Sequence, residues 1–377
     1  MPARFSTETF MATVADRLFN FSAGPAVLPL PVLERAREEL LSLPGVGMSV
    51  LEISHRSKAF DEILDRTLAD LGRLIGIGDD HELILLQGGA SLQFSMVPLN
   101  LLQGQSGAAD YIVTGTWGRG GLKEARRIGS THVAWDGEAT GYDRLPQADE
   151  IKLSDHPAYV HITSNETIQG VQWQRLPAVA AAPLVCDTSS DFLSRPIDLS
   201  RFGLLYACAQ KNAGIAGVTA VAIRKDLLER SADSLPAMLD YRTFVAKGSR
   251  PNTPPVFAIY ILGLVCEWLL NEVGGLEQIA AQNAAKAAVL YDTLDASGGF
   301  YRGHAAEACR STMNVTFRLP SADLEQAFLA EAASHGLSDL KGHRSVGGIR
   351  ASVYNAMPEA GVLALRDFMH DFKNARG

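Results

Sequence analysis

Short apolar runs without polar alternation recur between helix-like stretches, and this pattern constrains the fold most. Leu83–Leu86, Tyr111–Val113, Tyr159–Ile162, Leu184–Cys186, Leu204–Ala207 and Val218–Ile223 read as strands covered on both faces. Helical stretches between strands imply crossover connections and hence parallel pairing. In the segment Lys58 to Ile75, Phe60, Ile63, Leu64, Thr67, Leu68, Leu71, Leu74 and Ile75 recur at helical steps, and Ser57 is placed to cap them. Another helix is expected near Pro31.

Near residue 270 the pattern changes. A helix-rich stretch (Leu276 to Asp295) precedes an amphipathic strand (Met313–Arg318), a helix (Leu324–His335), the loop Gly342–Gly348 and a terminal helix (Pro358–Phe372). The expected fold is α/β, a mostly parallel sheet with helices on both faces plus a smaller α+β C-terminal domain. The 377 residues exceed one ordinary domain and can bury a core without disulfides or metals. The expected division is a loosely ordered extension over 1–16, a segment 17–30 joining the small domain, a large domain 31–272 and a small domain 273–377.

Composition narrows the partners. With 47% hydrophobic and 20% charged residues the chain reads as globular, and its net charge of −8 argues against nucleic acid or anionic membrane. A pocket for a small anion needs only locally clustered cations. Cys186, Cys208, Cys266 and Cys309 form no CxxC pair, so neither a zinc site nor a disulfide framework is expected, and a cytoplasmic setting fits. Arg4, Glu8, Asp16 and Arg17 interrupt the stretch Met1 to Phe19, so no secretory signal is expected there. The most apolar segment, Phe257 to Cys266, ends at Glu267 and reads as too short to span a bilayer.

Chemistry concentrates at strand ends. Leu204 to Cys208 runs into Ala209-Gln210-Lys211, where a lysine in apolar surroundings can become an amine nucleophile. Alone, that segment favours a surface lysine closing a strand. Leu184-Val185-Cys186-Asp187 ends in a carboxylate that needs a partner if buried, though a capping aspartate is equally ordinary. The protonated ring nitrogen of pyridoxal phosphate is one such partner. Gln87-Gly88-Gly89-Ala90-Ser91 follows another strand and opens a helix, a backbone suited to phosphate. Trp117, flanked by Thr116 and Gly118, could stack on a flat ring or pack in the core; Ser164-Asn165-Glu166-Thr167 clusters polar groups at the same edge. Ligands of such sheets sit beyond the carboxyl ends of the strands.

Taken together with Phe19-Asn20-Phe21-Ser22-Ala23-Gly24-Pro25, Ile53-Ser54-His55-Arg56-Ser57 and Arg250-Pro251-Asn252-Thr253-Pro254-Pro255, these segments identify a resemblance. From about Phe19 to its C-terminus the chain resembles the phosphoserine aminotransferase family, class V members of the aspartate aminotransferase-like (fold type I) pyridoxal phosphate enzymes. The resemblance implies that Lys211 carries the cofactor and shuttles a proton. It implies that Asp187 pairs with the ring nitrogen, Trp117 stacks, Thr167 bonds the ring hydroxyl, and Ala90, Ser91 and Gln210 hold the phosphate. Asn252 and Thr253 would reach that phosphate from a second subunit, making a homodimer necessary. Arg56 and Arg350 would bind substrate carboxylates; His55 (from the partner), His343 and Arg344 would bind a substrate phosphate. The implied reaction moves an amino group from glutamate to 3-phosphohydroxypyruvate in serine biosynthesis, with a phosphohydroxythreonine precursor of pyridoxine as a further family substrate.

Two positions depart from the family. Ser91 stands where some members carry a phosphate-binding arginine, and Asn212-Ala213-Gly214-Ile215 replaces the frequent Asn-x-Gly-Pro. The former leaves one phosphate contact unassigned; the latter predicts a local loop difference. The alternatives are a cysteine desulfurase, for which Cys309 would have to be the mobile nucleophile, and a cofactor-binding protein without turnover. A nicotinamide oxidoreductase fits poorly, since no glycine fingerprint follows a first strand.

Overall fold

A computed structural model describes residues 17–179 and 182–377; the extension expected over 1–16 lies outside the described residues. Its centre is a seven-stranded sheet: β1 (His81–Leu86), β2 (Ala109–Val113), β3 (Thr131–Asp136), β4 (Tyr159–Thr163), β5 (Leu184–Asp187), β6 (Leu204–Cys208) and β7 (Thr219–Arg224). Their spatial order is β1-β7-β6-β5-β4-β2-β3.

The central sheet differs from the sequence expectation in two ways. β7 runs antiparallel to both neighbours. The stretch between Cys208 and Thr219 is too short for a helical crossover, so the chain turns back beside itself. The edge strand β3 was not expected, because its half-exposed sequence Thr-His-Val-Ala-Trp-Asp contains no apolar run. The apolar stretch Val50–Ile53 forms a turn: Val50 and Ile53 are buried while Leu51 faces outward.

Side chains alternate along each strand, so each face has its own core. Leu184, Cys186, Leu205 and Ala207 join one apolar cluster with the helices Lys58–Ile75 and Val256–Trp268. Val185, Leu204 and Tyr206 join another with the helices Gly89–Leu101 and Thr116–Ala125. Asp187, two residues after Val185, therefore points to the second face. The helix Lys58–Ile75 begins as expected: Ser57 Oγ accepts the Phe60 N–H at 3.3 Å, and Gly76 closes it in the left-handed region.

The apolar helix Val256–Trp268 continues as a π-helical turn to Val273, giving 18 residues of mean hydropathy 1.7. That length reaches what a bilayer span requires, contrary to the expectation from Phe257 to Cys266. Its Ile259, Ile261, Leu262, Val265 and Cys266 are nonetheless buried in the core against the sheet.

The C-terminal region forms a third core. Three antiparallel strands, Arg302–Gly303, Asn314–Arg318 and Ile349–Ser352, pack with the helices Leu276–Asp295, Ala322–Ser334 and Glu359–Arg376. Phe21 is buried in this core, and Phe19–Asn20 pairs in parallel with Leu337–Ser338.

Candidate active site

The carboxyl ends of β4, β5 and β6 open into a cavity of about 370 Å³. Ala90, Ser91, Trp117, Thr167, Asp187, Gln210, Lys211, His343 and Arg350 all line it. Residues distant in sequence thus share one space because parallel strands end on the same side.

Lys211 lies three residues beyond β6. Its Nζ donates to Thr167 Oγ1 at 2.8 Å and stands 5.8 Å from the centre of the Trp117 ring. The Trp117 side chain remains 36% exposed, although tryptophan usually buries its large apolar area. One ring face is available to a flat ligand.

Asp187 is only 4% exposed. The Ser189 N–H donates to its Oδ1 at 2.9 Å, and among the described residues it forms no ion pair. Burial pushes its carboxyl above the ordinary range, against the opposing pull of Ser189 and Lys211. A buried acid that faces the cavity with no ion-pair partner among the described residues suits a protonated ring nitrogen.

Two helix N-termini point toward the cavity, and they differ. The helix Gly89–Leu101 has no side-chain cap, and Gly88 precedes it with φ +93°. A Cβ on Gly88 would stand 2.7 Å from Leu92 Cβ, so glycine is required there. With Ala90 and Ser91 on its first turn, this end offers N–H groups to a phosphate. The helix Thr116–Ala125 is already occupied: Glu166 Oε2 accepts the Trp117 N–H at 2.9 Å and Oε1 accepts the Gly118 N–H at 2.8 Å.

The opposite wall is cationic. Arg350, on the strand Ile349–Ser352, forms no ion pair among the described residues, and burial lowers its affinity for a proton. His343 Nδ1 accepts from the Ser345 N–H at 3.2 Å, which leaves Nε2 as the donor of the neutral ring. Burial and the neighbouring Arg350 and Arg344 hold the His343 pKa below its usual value. An unpaired arginine beside a neutral imidazole donor in a partly buried wall calls for an anion.

Other expected residues are not brought to this cavity. Arg344 is exposed on the His343–Gly348 loop. His55 and Arg56 sit just before the helix Lys58–Ile75, with Arg56 exposed. Gln87 Nε2 donates to the Thr253 carbonyl oxygen at 3.0 Å, and the Asn252 side chain lies 3.5 Å from Gln87. None of the five lines the cavity of its own chain.

The sequence reading assigned no role to Glu166, Ser189, Ser190, Cys208 or the crossing segment Ala23–Gly24, although all adjoin the site. Their proximity to segments already singled out was the only available signal. Cys309 is different. It is buried in a short 3₁₀ turn away from the cavity, and burial pushes its thiol up. A mobile, reactive thiol is not what the structure shows there.

Comparison with known proteins follows the same lines. The class V aminotransferase profile matches residues 18–365. The phosphoserine aminotransferase of Desulfatibacillum aliphaticivorans is 53% identical, covering 96% of this chain and 99% of the relative. That of Geobacillus kaustophilus is 52% identical over 95% of this chain and 98% of its own length. Among solved structures, phosphoserine aminotransferase from Bacillus circulans subsp. alkalophilus superposes with a TM-score of 0.93 at 49% identity, covering 96% of this chain and 99% of that one. The pyridoxal phosphate-bound enzyme from Trichomonas vaginalis gives 0.90 at 39% identity, with 94% and 100% covered.

Proposed function

The chain belongs to the class V aminotransferases, within the phosphoserine aminotransferase family, and from this we propose its reaction. It transfers the amino group of L-glutamate to 3-phosphohydroxypyruvate, giving O-phospho-L-serine and 2-oxoglutarate in serine biosynthesis. The observation that carries this reading is the unpaired Arg350 beside His343, facing the cavity that also holds Lys211 and Asp187. A phosphohydroxythreonine precursor of pyridoxine has the same charges and is a second substrate of this reading.

The residues fit pyridoxal phosphate. The unpaired Asp187 carboxyl suits its ring nitrogen, the open Trp117 face its ring, and the uncapped Gly89–Leu101 helix with Ser91 and Gln210 its phosphate. When bound, the cofactor supplies an electron sink for the carbanion left at the amino acid α-carbon. Lys211 Nζ would hold it covalently and, once released, take the α-proton and return it to the acceptor carbon. Thr167 orients Nζ in the described geometry and would bond the ring hydroxyl when Nζ moves. Arg350 would grip the α-carboxylate, with Arg56 on the second carboxylate and His55, His343 and Arg344 on the substrate phosphate. Ser91 supplies a neutral hydroxyl where other members place arginine, so the substrate phosphate depends on the remaining cations.

A homodimer completes this assignment. Leu41 is 86% and Leu51 61% exposed, close in sequence to His55 and Arg56, which miss their own cavity. With Met48, also exposed, these side chains give this segment apolar area that a partner surface could cover. A second copy covering this face would receive His55, Arg56, Asn252 and Thr253 at its own site. The proposed large domain is 31–272 and the small domain 273–377, with 17–30 joining the latter, as the packing of Phe21 supports. Four free, buried cysteines fit a cytoplasmic setting.

A half-reaction titration tests the substrate. Phosphoserine added to the cofactor-loaded enzyme should bleach its visible absorbance at far lower concentration than serine. Equal bleaching by both would remove the phosphate site from this reading.

A further inference from the structure

The short hairpin after β4 does more than carry Thr167. Its strands Asn165–Glu166 and Val171–Gln172 are closed by the Gly170 N–H, which donates to the Glu166 carbonyl at 2.8 Å. Glu166 is fully buried and does not line the cavity. Both its carboxylate oxygens are used, on the N–H groups of Trp117 and Gly118. Gln169 completes the contact: Oε1 accepts the Thr116 N–H at 3.3 Å and Nε2 donates to Thr116 Oγ1 at 2.9 Å. Three successive N–H groups that a helix start leaves free are thus satisfied by one distant hairpin. Gly115 makes the approach possible, since a Cβ there would lie 2.5 Å from Glu166 Cδ.

The geometry has a consequence for the reacting group. Thr167, next to Glu166, accepts from Lys211 Nζ, while Glu166 holds the backbone of Trp117, whose ring faces the same Nζ. We propose that Glu166 is a positioning residue for amino transfer, fixing the Trp117 ring relative to Lys211 through the start of the Thr116–Ala125 helix. The Glu166 oxygens occupy the free N–H groups of that helix, which leaves the uncapped Gly89–Leu101 helix as the start still open to an anion. This role rests on the class V transamination reading.

Glu166→Gln tests it. The amide keeps one acceptor but turns an N–H donor toward a backbone N–H, breaking half of the fork without changing volume. In the cofactor-loaded dimer we expect kcat to fall about 10-fold with the KM for glutamate nearly unchanged, and the visible circular dichroism of the bound cofactor to shrink. Combining it with Trp117→Ala should add little to the loss from Trp117→Ala alone, because both act through one ring. Wild-type kcat and dichroism in Glu166→Gln would overturn the proposal, as would losses that multiply fully in the double variant. Should Glu166→Gln not fold, Glu166→Asp shortens the reach to the Trp117 and Gly118 N–H groups and is judged on the same dichroism and the same non-additivity. Absence of glutamate turnover in the wild-type enzyme would instead strike the underlying reading, so that assay comes first.

Discussion

Lys211 and Thr167 come from different strand ends, yet the lysine amine lies 2.8 Å from the threonine hydroxyl. The hydroxyl belongs to a hairpin that also anchors Trp117, and the amine lies below the open ring of that tryptophan. One rigid unit therefore sets where the amine points. A hydrogen bond to a charged amine is worth about 1.5–3 kcal/mol, enough to select one rotamer of a long side chain.

Lys211→Ala should abolish turnover and the visible absorbance of the cofactor bound through the lysine. Added methylamine should restore a trace of the proton transfer. Wild-type transamination by this variant would take Lys211 out of the chemistry.

Thr167→Val removes the hydroxyl at nearly constant volume. Loss of the hydroxyl that orients the lysine amine and would bond the cofactor's ring hydroxyl predicts a fall in kcat of about 10-fold, while Thr167→Ser should stay near wild type. Steady-state assays of the pair check this; equal activity in both variants would show that the hydroxyl is idle.

Arg350→Ala should raise the KM for glutamate and for phosphoserine together by about 10- to 100-fold, because both present the same α-carboxylate. Arg350→Lys should recover only part, since an ammonium lacks the planar fork. An effect confined to one substrate would assign Arg350 to a different group.

Arg56→Ala and Lys211→Ala should complement each other when co-expressed. If Arg56 serves the neighbouring subunit, a mixed dimer holds one intact site, and random pairing gives about a quarter of wild-type activity. Activity no higher than that of the two variants alone would place Arg56 in the site of its own chain.

Lys286 predicts a dependence of stability on pH. Its buried amine donates to the carbonyls of Tyr354, Asn355 and Met357, and burial pulls its pKa down to about 7. The unfolded chain keeps its proton up to about pH 10.4. Between these values the unfolded state binds more protons, so this group makes stability rise with pH, by at most about 1.4 kcal/mol per unit. Urea unfolding of Lys286→Met from pH 6 to 10 should lack that component; identical slopes would mean that the amine stays charged in the fold.

The strand pattern and the strand-end residues were legible because they follow local rules. Apolar runs such as Val218–Ile223 mark a strand buried on both faces, and Ser57 announces a helix start by its own side chain. The direction of β7 was not, because the pairing depends on the length of the Lys211 loop rather than on the strand's composition. The edge strand β3 was missed since a half-exposed strand need not be apolar. Val50 and Ile53, three residues apart, share the buried face of a turn, a placement that no local rule announced.

The same division runs through the site. Lys211, Asp187, Trp117, Thr167, Ser91 and Arg350 could be named from sequence, because each ends or follows a recognisable element and together they match one family. Glu166 could not be given a task, because its partners are backbone N–H groups 49 and 48 residues away, and a backbone group leaves no trace in side-chain identity. Nor could the sequence say that His343 and Arg350 share a wall with Lys211 while His55 and Arg56 do not. By itself the sequence determined which chemistry the chain carries, since strand ends and side-chain types are local properties. Only the tertiary structure decided which groups meet, since that depends on how strands order, turn back and bring distant loops over one cavity.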